Sequence, residues 1–148
     1  MLNELQVKTG FEDMNLPLIH HQLSTDAYWC IGIPLETVEA AWRSSFCIGL
    51  FIEAEMIGFA RIITDYATFG YLADVYILTE HRGKGYSKEM MAYIMELPWV
   101  KGLRRFMLAT LDAHSLYEQF GFIAPRKPDR LMEIIQPGVY GDRNNKIV

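Results

Sequence analysis

The chain has 148 residues, 51% of them apolar and 22% charged, with a net charge of −4. That is enough for one domain with a sizeable core, and it excludes a largely disordered chain. A pI near 5.5 argues against a nucleic-acid partner, which needs a broad basic face, and two cysteines in no zinc or redox spacing fit a reducing cytoplasm.

The run Met1–Asp13 carries acidic residues where an export signal needs apolar ones. The longest apolar stretch, Phe46–Ile52, is too short to span a bilayer, so a soluble, cytoplasmic protein with no membrane partner is expected. Leu5 to Gly10 reads as an opening strand. Leu16–Ala27 and Leu35–Ser45 read as helices joined by the aromatic linker Tyr28–Pro34; in the second, Leu35, Val38, Ala41 and Trp42 share a face. The neighbouring His20 and His21 lack the spacing of a metal site and are read as helix surface. Phe46–Ala54 and Met56–Ile63, rich in β-branched and aromatic residues, form a hairpin about Glu53-Ala54-Glu55, and Asp65–Gly70 turns the chain into a strand over Tyr71–Leu78. Simple alternation along that strand places Leu72, Asp74, Tyr76 and Leu78 on one face.

A helix follows, with Tyr86, Met90, Tyr93, Ile94 and Leu97 as its apolar face and Pro98 as its stop. Phe106–Ala109 is a short strand. Ala113–Phe120 is a short helix, capped by Asp112 and ended by Gly121. Phe122–Ala124 and Leu131–Ile135 read as two last strands, so that a single domain covers residues 1–136 and a polar tail covers 137–148. Hairpins first, then a strand–helix–strand unit, predict an α/β (α+β) chain: a mixed sheet with helices on both faces.

The most informative stretch joins the Tyr71–Leu78 strand to the helix after it: Glu80-His81-Arg82-Gly83-Lys84-Gly85-Tyr86-Ser87. A helix start leaves N–H groups unpaired and carries partial positive charge. Glycines let a ligand approach that backbone closely. The expected guest of such a cradle is a pyrophosphate. It is not a P-loop, since Leu78 and Gly85 stand where that motif needs Gly and Ser or Thr. Nor is it a dinucleotide fingerprint, since Lys88 takes the place of the third glycine.

Arg82-Gly83-Lys84-Gly85-Tyr86-Ser87 resembles the pyrophosphate-binding motif of GCN5-related N-acetyltransferases, Arg-x-x-Gly-x-Gly/Ala, with serine in the last small position. Asp74–Ile77 is similar to that family's central strand, and Thr110–Phe122 to its closing Asn-x-x-Ala-x-x-Leu-Tyr-x-x-x-Gly-Phe helix, with Thr110 at the asparagine place. The matches keep their order from about residue 46 to 124. The resemblance implies the acyl-CoA N-acyltransferase fold, with a mostly antiparallel central sheet splayed in the middle. It implies acetyl-CoA as co-substrate, its pantetheine arm met by Ile77, Leu78 and Thr79 and its pyrophosphate by Arg82, Gly83, Lys84, Gly85, Tyr86 and Ser87. It also implies a small-molecule or peptide amine as acceptor, the loop bearing Tyr28 and Trp29 over the acceptor pocket, and a homodimer as a compatible assembly.

The chemistry asks for two further groups. A lysine-like amine is neutral about once in 2,500 at pH 7, a handicap of roughly 4.6 kcal/mol. Asp74, an acid within an apolar strand, is the candidate base or amine holder, the alternative being a structural bond to Arg61. Tyr117 matches the family's general acid for the departing thiolate; its helical spacing also fits core packing. Arg61 and Asp65 are candidates for lining the acceptor opening. The reading is therefore an N-acetyltransferase acting by direct transfer in a ternary complex, against a non-catalytic acyl-CoA-binding or protein-interaction module on the same fold.

Overall fold

Strand β1 (Leu5–Thr9) opens the chain, and helices α1 (Leu16–Thr25) and α2 (Leu35–Arg43) follow it in a computed structural model that describes residues 4–141. Strands β2 (Phe46–Ile52), β3 (Glu55–Thr64) and β4 (Phe69–Ile77) come next. Helices α3 (Tyr86–Glu96) and α4 (Pro98–Lys101) lead to β5 (Arg105–Leu108), and α5 (His114–Glu118) is the last α-helix among the described residues. Of the expected polar tail, residues 142–148 lie outside the described residues.

The sheet is mixed, in the order β1-β2-β3-β4-β5, antiparallel throughout except for the parallel β4–β5 pair. The expected hairpin forms with Ile52 opposite Glu55, leaving a two-residue loop in which Glu53 (φ 49) and Ala54 (φ 68) are both left-handed. That mirror-image turn matches the right-handed twist of the flanking strands. Cys47 to Phe51 are buried without a break, which explains why β2 reads as a continuous apolar run rather than an alternating one.

The packing falls into two compact units. The first takes in the described residues up to Asn15 and Ala41–Phe122, and so the whole sheet; the second takes Leu16–Ala40 and the described residues from Ile123. In the first, Ile48, Leu50, Ile57, Ile62, Leu72 and Ile77 of the sheet meet Met90, Met91 and Ile94 of α3 and Val100 of α4 in one core cluster. The buried stripe of α3 thus includes Met91, while Tyr93, expected inside, is exposed. A phenol on the outward side keeps its hydroxyl in water, and unbranched Met91 fills the core in its stead. In the second unit, Ile19 and Leu23 are the buried pair of α1, and His20 Nε2 donates to the Ile33 carbonyl (3.0 Å), which ties the linker to the helix.

Two sequence expectations fail. No strand forms over Phe122–Ala124 or Leu131–Ile135; among the described residues after α5 only a 3-10 turn, Pro128–Arg130, is regular. Strand propensity is realised only through pairing, and neither segment pairs with a strand among the described residues. Asp112 does not cap α5 either. The Thr110 hydroxyl accepts from the Ala113 N–H (3.0 Å), because a threonine reaches the amide three residues on.

Candidate active site

Ile77 stands five positions after Leu72, yet both sit in the same core cluster. Strict alternation would put them on opposite faces. The cause is a bulge: Ala73 lies opposite Arg61 and Tyr76 opposite Phe59, so Ala60 alone faces both Asp74 and Val75. Asp74 adopts φ 56, a left-handed value that Asp tolerates better than most residues. The extra residue flips the parity of the strand. This corrects the simple alternation: Tyr76 does not share a face with Leu72 but stacks on Phe59 at 5.3 Å, and Phe59 in turn meets Trp42 edge-on at 5.6 Å.

Beside the bulge, Arg61 Nε donates to Asp74 Oδ2 at 2.6 Å, and Arg61 Nη1 donates to Ser45 Oγ at 3.1 Å. The Arg61 and Asp74 side chains are only 17% and 10% exposed, so this ion pair is half-shielded from solvent. Two residues expected at the site are thereby brought together, and Ser45, which carried no sequence signal, is added to them. Asp65 is not part of this group. Its carboxylate closes the β3–β4 turn, accepting from the N–H groups of Ala67, Thr68 and Phe69 and from the Thr68 hydroxyl, and these bonds hold it well below the usual carboxylate range. Cys47 is a buried thiol pushed up to about 11 by burial, an effect partly offset by Arg61.

Past the bulge the sheet opens. β4 pairs with β5 only from Phe69 to Leu72, and no described strand runs along that side of Ala73–Ile77. The Leu78 N–H bonds the Ile57 carbonyl (2.9 Å), and Leu78 also accepts from His81 (2.8 Å). Alternation therefore turns the backbone of Ile77 away from β3 into the opening, where its carbonyl accepts from Arg82 Nε at 2.7 Å. The Arg82 guanidinium lies 5.0 Å over the Tyr76 ring. Arg82 is thus a clamp: its side chain holds the cradle to the end of β4, and its own N–H closes a turn onto Thr79 (3.2 Å).

The remaining cradle amides are bare. Among the described residues the N–H groups of Gly83, Lys84 and Gly85 meet no acceptor, and the start of α3 has no side-chain cap. Gly83 (φ +76) and Gly85 (φ +85) are both left-handed, and a Cβ at either would meet nothing within 4 Å. The glycines serve the conformation of the turn, not internal packing, and leave its backbone open on that side. In front of them lies a hollow of about 220 Å³, walled by Ile77, His81, Tyr86, Ser87 and Lys88 and by Leu116 of α5. Tyr86 packs partly against the core and leaves this hollow open. His81 Nδ1 is buried there without a partner. Unpaired donors, a helix N-terminus and lysines suit a pyrophosphate, and the volume suits that group rather than a whole nucleotide.

Leu116 brings α5 to this wall, and Tyr117 is the next residue. Tyr117 is buried, with Phe122 edge-on at 6.0 Å, and its phenol is pushed up to about 12, by burial first and by the Asp112 charge second. In the second unit, Tyr28 and Trp29 are exposed and meet edge-to-face at 5.0 Å. Among the described residues no group of three His, Cys, Asp or Glu could hold a metal ion, and no helix is long and apolar enough to cross a membrane.

Comparison with known proteins agrees with this geometry. The family model described as "Acetyltransferase (GNAT) family" matches residues 16–122. A candidate acetyltransferase of Gibberella zeae is 37% identical, over 70% of this chain and 70% of its own length. The crystal structure of a candidate GNAT-family acetyltransferase from Xanthomonas campestris pv. campestris is 46% identical, with a TM-score of 0.91, covering 96% of this chain and 100% of its own. A predicted acetyltransferase from Clostridium acetobutylicum, solved with acetyl-CoA, shares the fold at 15% identity and a TM-score of 0.65, covering 89% of this chain and 96% of its own.

Proposed function

Because the chain belongs to the acetyltransferase (GNAT) family, we propose that it carries an acetyl group from acetyl-CoA to a primary amine of a small molecule or peptide, by direct transfer in a ternary complex in the cytoplasm. The observation that carries this reading is the row of bare amides at Gly83, Lys84 and Gly85, running into the uncapped start of α3 above an open hollow. Those amides, the Ser87 hydroxyl and the charges of Lys84 and Lys88 would hold the pyrophosphate. Thr79 and the backbone of Ile77, at the open side of β4, would lie along the pantetheine. Acetyl-CoA, when bound, supplies the activated thioester.

Tyr117 keeps its proton across the physiological range, since burial pushes it up to about 12. Handing that proton fully to a thiolate of pKa ~8.5 would be uphill by roughly 5 kcal/mol. The phenol would therefore act as a hydrogen-bond donor to the sulfur as charge develops, with the proton following late. Asp74 would hold the acceptor amine. Asp74 already accepts from Arg61, so it would serve as an anchor for the amine, whose proton would leave to water. The exposed faces of Tyr28 and Trp29 suit a cation and support a cationic amine as acceptor.

Two measurements test the proposal together: the melting temperature with acetyl-CoA, and the release of free CoA thiol against polyamines, aminoglycosides, amino acids and peptides. A raised melting temperature with thiol release on one amine class is the expected result. No thermal shift would remove the cradle reading. A shift without thiol release on any amine would assign the chain to the non-catalytic acyl-CoA-binding class instead.

A further inference from the structure

The Arg61–Asp74 pair is braced on a third residue. Arg61 Nε donates to Asp74 Oδ2 at 2.6 Å and Nη1 to Ser45 Oγ at 3.1 Å, and the Ser45 hydroxyl is itself anchored on the Ala41 carbonyl at 2.7 Å. The guanidinium therefore sits close to the C-terminal end of α2, where unpaired carbonyls favour a cation. All four residues belong to the unit that holds the sheet. Two of the three guanidinium nitrogens serve to fix the group. The third, Nη2, makes no bond among the described residues, and it is not one of the buried polar atoms that lack a partner. It is thus the end of Arg61 that meets solvent, in keeping with a side chain 17% exposed. Beside it stands a carboxylate with about four acceptor sites, which the bond to Arg61 alone does not fill.

We propose that the acceptor is an α-amino acid, its ammonium held by Asp74 and its carboxylate by Arg61 Nη2, so that Arg61 selects the substrate. The inference rests on the reading of Asp74 as the holder of the amine and narrows that reading to one chemical class. The pair is neutral as a whole, which limits what it attracts. A simple cation drawn to Asp74 meets a like charge on Arg61 at nearly the same distance, so repulsion offsets much of the attraction. A zwitterion meets no such conflict, because its two charges and those of the pair alternate in sign. The dimensions also agree. The nitrogen and carboxylate oxygens of an α-amino acid lie about 3–4 Å apart, a span suited to two groups that are themselves 2.6 Å apart. A peptide nitrogen fits less well, since an amide carbonyl offers Arg61 no anion. In the transfer the α-nitrogen bonds the acetyl carbon as the C–S bond breaks. Of the two protons the ammonium gives up, one goes to water and one ends on the sulfur, which leaves as free thiol. The acetylated product has lost the charge that Asp74 holds, which favours its release.

The test is thiol release from acetyl-CoA by the full chain. The twenty standard amino acids are set against their methyl esters and against the amines that lack the carboxylate, such as histamine for histidine and tyramine for tyrosine. For at least one amino acid, kcat/KM should exceed that of its ester and its amine at least tenfold. The carboxylate makes its own ammonium harder to deprotonate, so any bias in the comparison runs against this result. Arg61→Gln should bring the ratio of acid to ester to about one. Should that variant fail to fold, Arg61→Lys keeps a cation beside Asp74 but loses the planar fork, and should lower the ratio at least threefold. An Arg61 that only supports the fold would slow acid and ester alike and leave the ratio where it was, which overturns the proposal. Equal or faster transfer to the esters or the carboxylate-free amines also overturns it, while leaving acetyl transfer in place. Thiol release on no amine at all removes the acetyltransferase reading and this inference with it.

Discussion

Replacing Gly85 by alanine and by glutamate separates what the cradle needs for its own conformation from what it needs for a ligand. Gly85 holds φ 85 and ψ 10 at the N-cap of α3. A Cβ there would meet nothing within 4 Å, so Gly85→Ala suffers no clash and loses only the left-handed backbone preference, about 1–2 kcal/mol. For a chain of this size that lowers the melting temperature by about 3–8 °C. Gly85→Glu should suffer the same loss and no more, since its side chain points into open space. The ligand response should split the two variants. Acetyl-CoA at a hundred times its Kd stabilises by about 2.7 kcal/mol, roughly 8–10 °C in wild type. Gly85→Ala should keep part of that shift, whereas Gly85→Glu, which sets a carboxylate against the diphosphate, should abolish it. Differential scanning fluorimetry with and without acetyl-CoA reads both quantities. A Gly85→Glu variant with an undiminished ligand shift would refute the placement of the pyrophosphate at this turn.

Tyr117→Phe should leave the acetyl-CoA shift intact and lower kcat by about 10²–10⁴, and an unchanged kcat removes the phenol from the chemistry. The pH dependence has a defined sign: a phenol raised from ~10 to about 12 holds its proton more tightly folded than unfolded. Its contribution to stability is whole below pH ~10 and is lost as the pH climbs through 12, so urea midpoints at pH 9 and 11.5 should differ less in Tyr117→Phe than in wild type. Arg61→Ala should destabilise by about 2–4 kcal/mol in urea, because it strips the guanidinium from a half-buried Asp74; a change below 0.5 kcal/mol would show that the pair adds nothing. Glu53→Asn with Ala54→Gly should stabilise by about 1–2 kcal/mol, since both positions are left-handed in a mirror-image turn. Cys47, pushed up to about 11 by burial, should resist iodoacetamide at pH 8 until the chain unfolds.

The hairpin and the hand-over from β4 to α3 were legible because their signals are local. β-branched and aromatic runs, a turn between them, and two glycines at positions that prove left-handed all lie within a few residues of what they specify. The bulge was not legible. Its residues, Ala73-Asp74-Val75, contain no glycine, and an aspartate that accepts φ 56 looks like any polar residue within an apolar strand. Asp74 and Arg61 were both named from the sequence, but Ser45 emerged only when the fold carried it to Arg61. The segment Leu131–Ile135 shows the opposite failure. Its propensity for a strand is plain, and what it lacks is a partner, which no local pattern can supply. Asp65 was named for its place at the hairpin's end, and its four bonds to the turn from Ala67 to Phe69, which hold the backbone geometry there, depend on spacing that the fold makes visible.

The bulge at Asp74 accounts for more of the site than any single contact does. Without it, Tyr76 would fall on the face of Leu72 and leave Phe59 without its stacking partner. Arg82 would then have no ring beneath its guanidinium and no Ile77 carbonyl turned outward to bond. The cradle would lose both ties that fix it to the end of β4, while its glycines and bare amides stayed the same. An anion site on a loose turn would have to order that turn on binding, at about 1–2 kcal/mol per residue, and a stretch from Arg82 to Gly85 would consume most of what a diphosphate contributes. One residue held at a positive φ thus sets the strand's parity, and the parity preorganises the turn. If the turn holds a pyrophosphate, the left-handed Asp74 would on this reasoning matter to its binding as much as the two left-handed glycines.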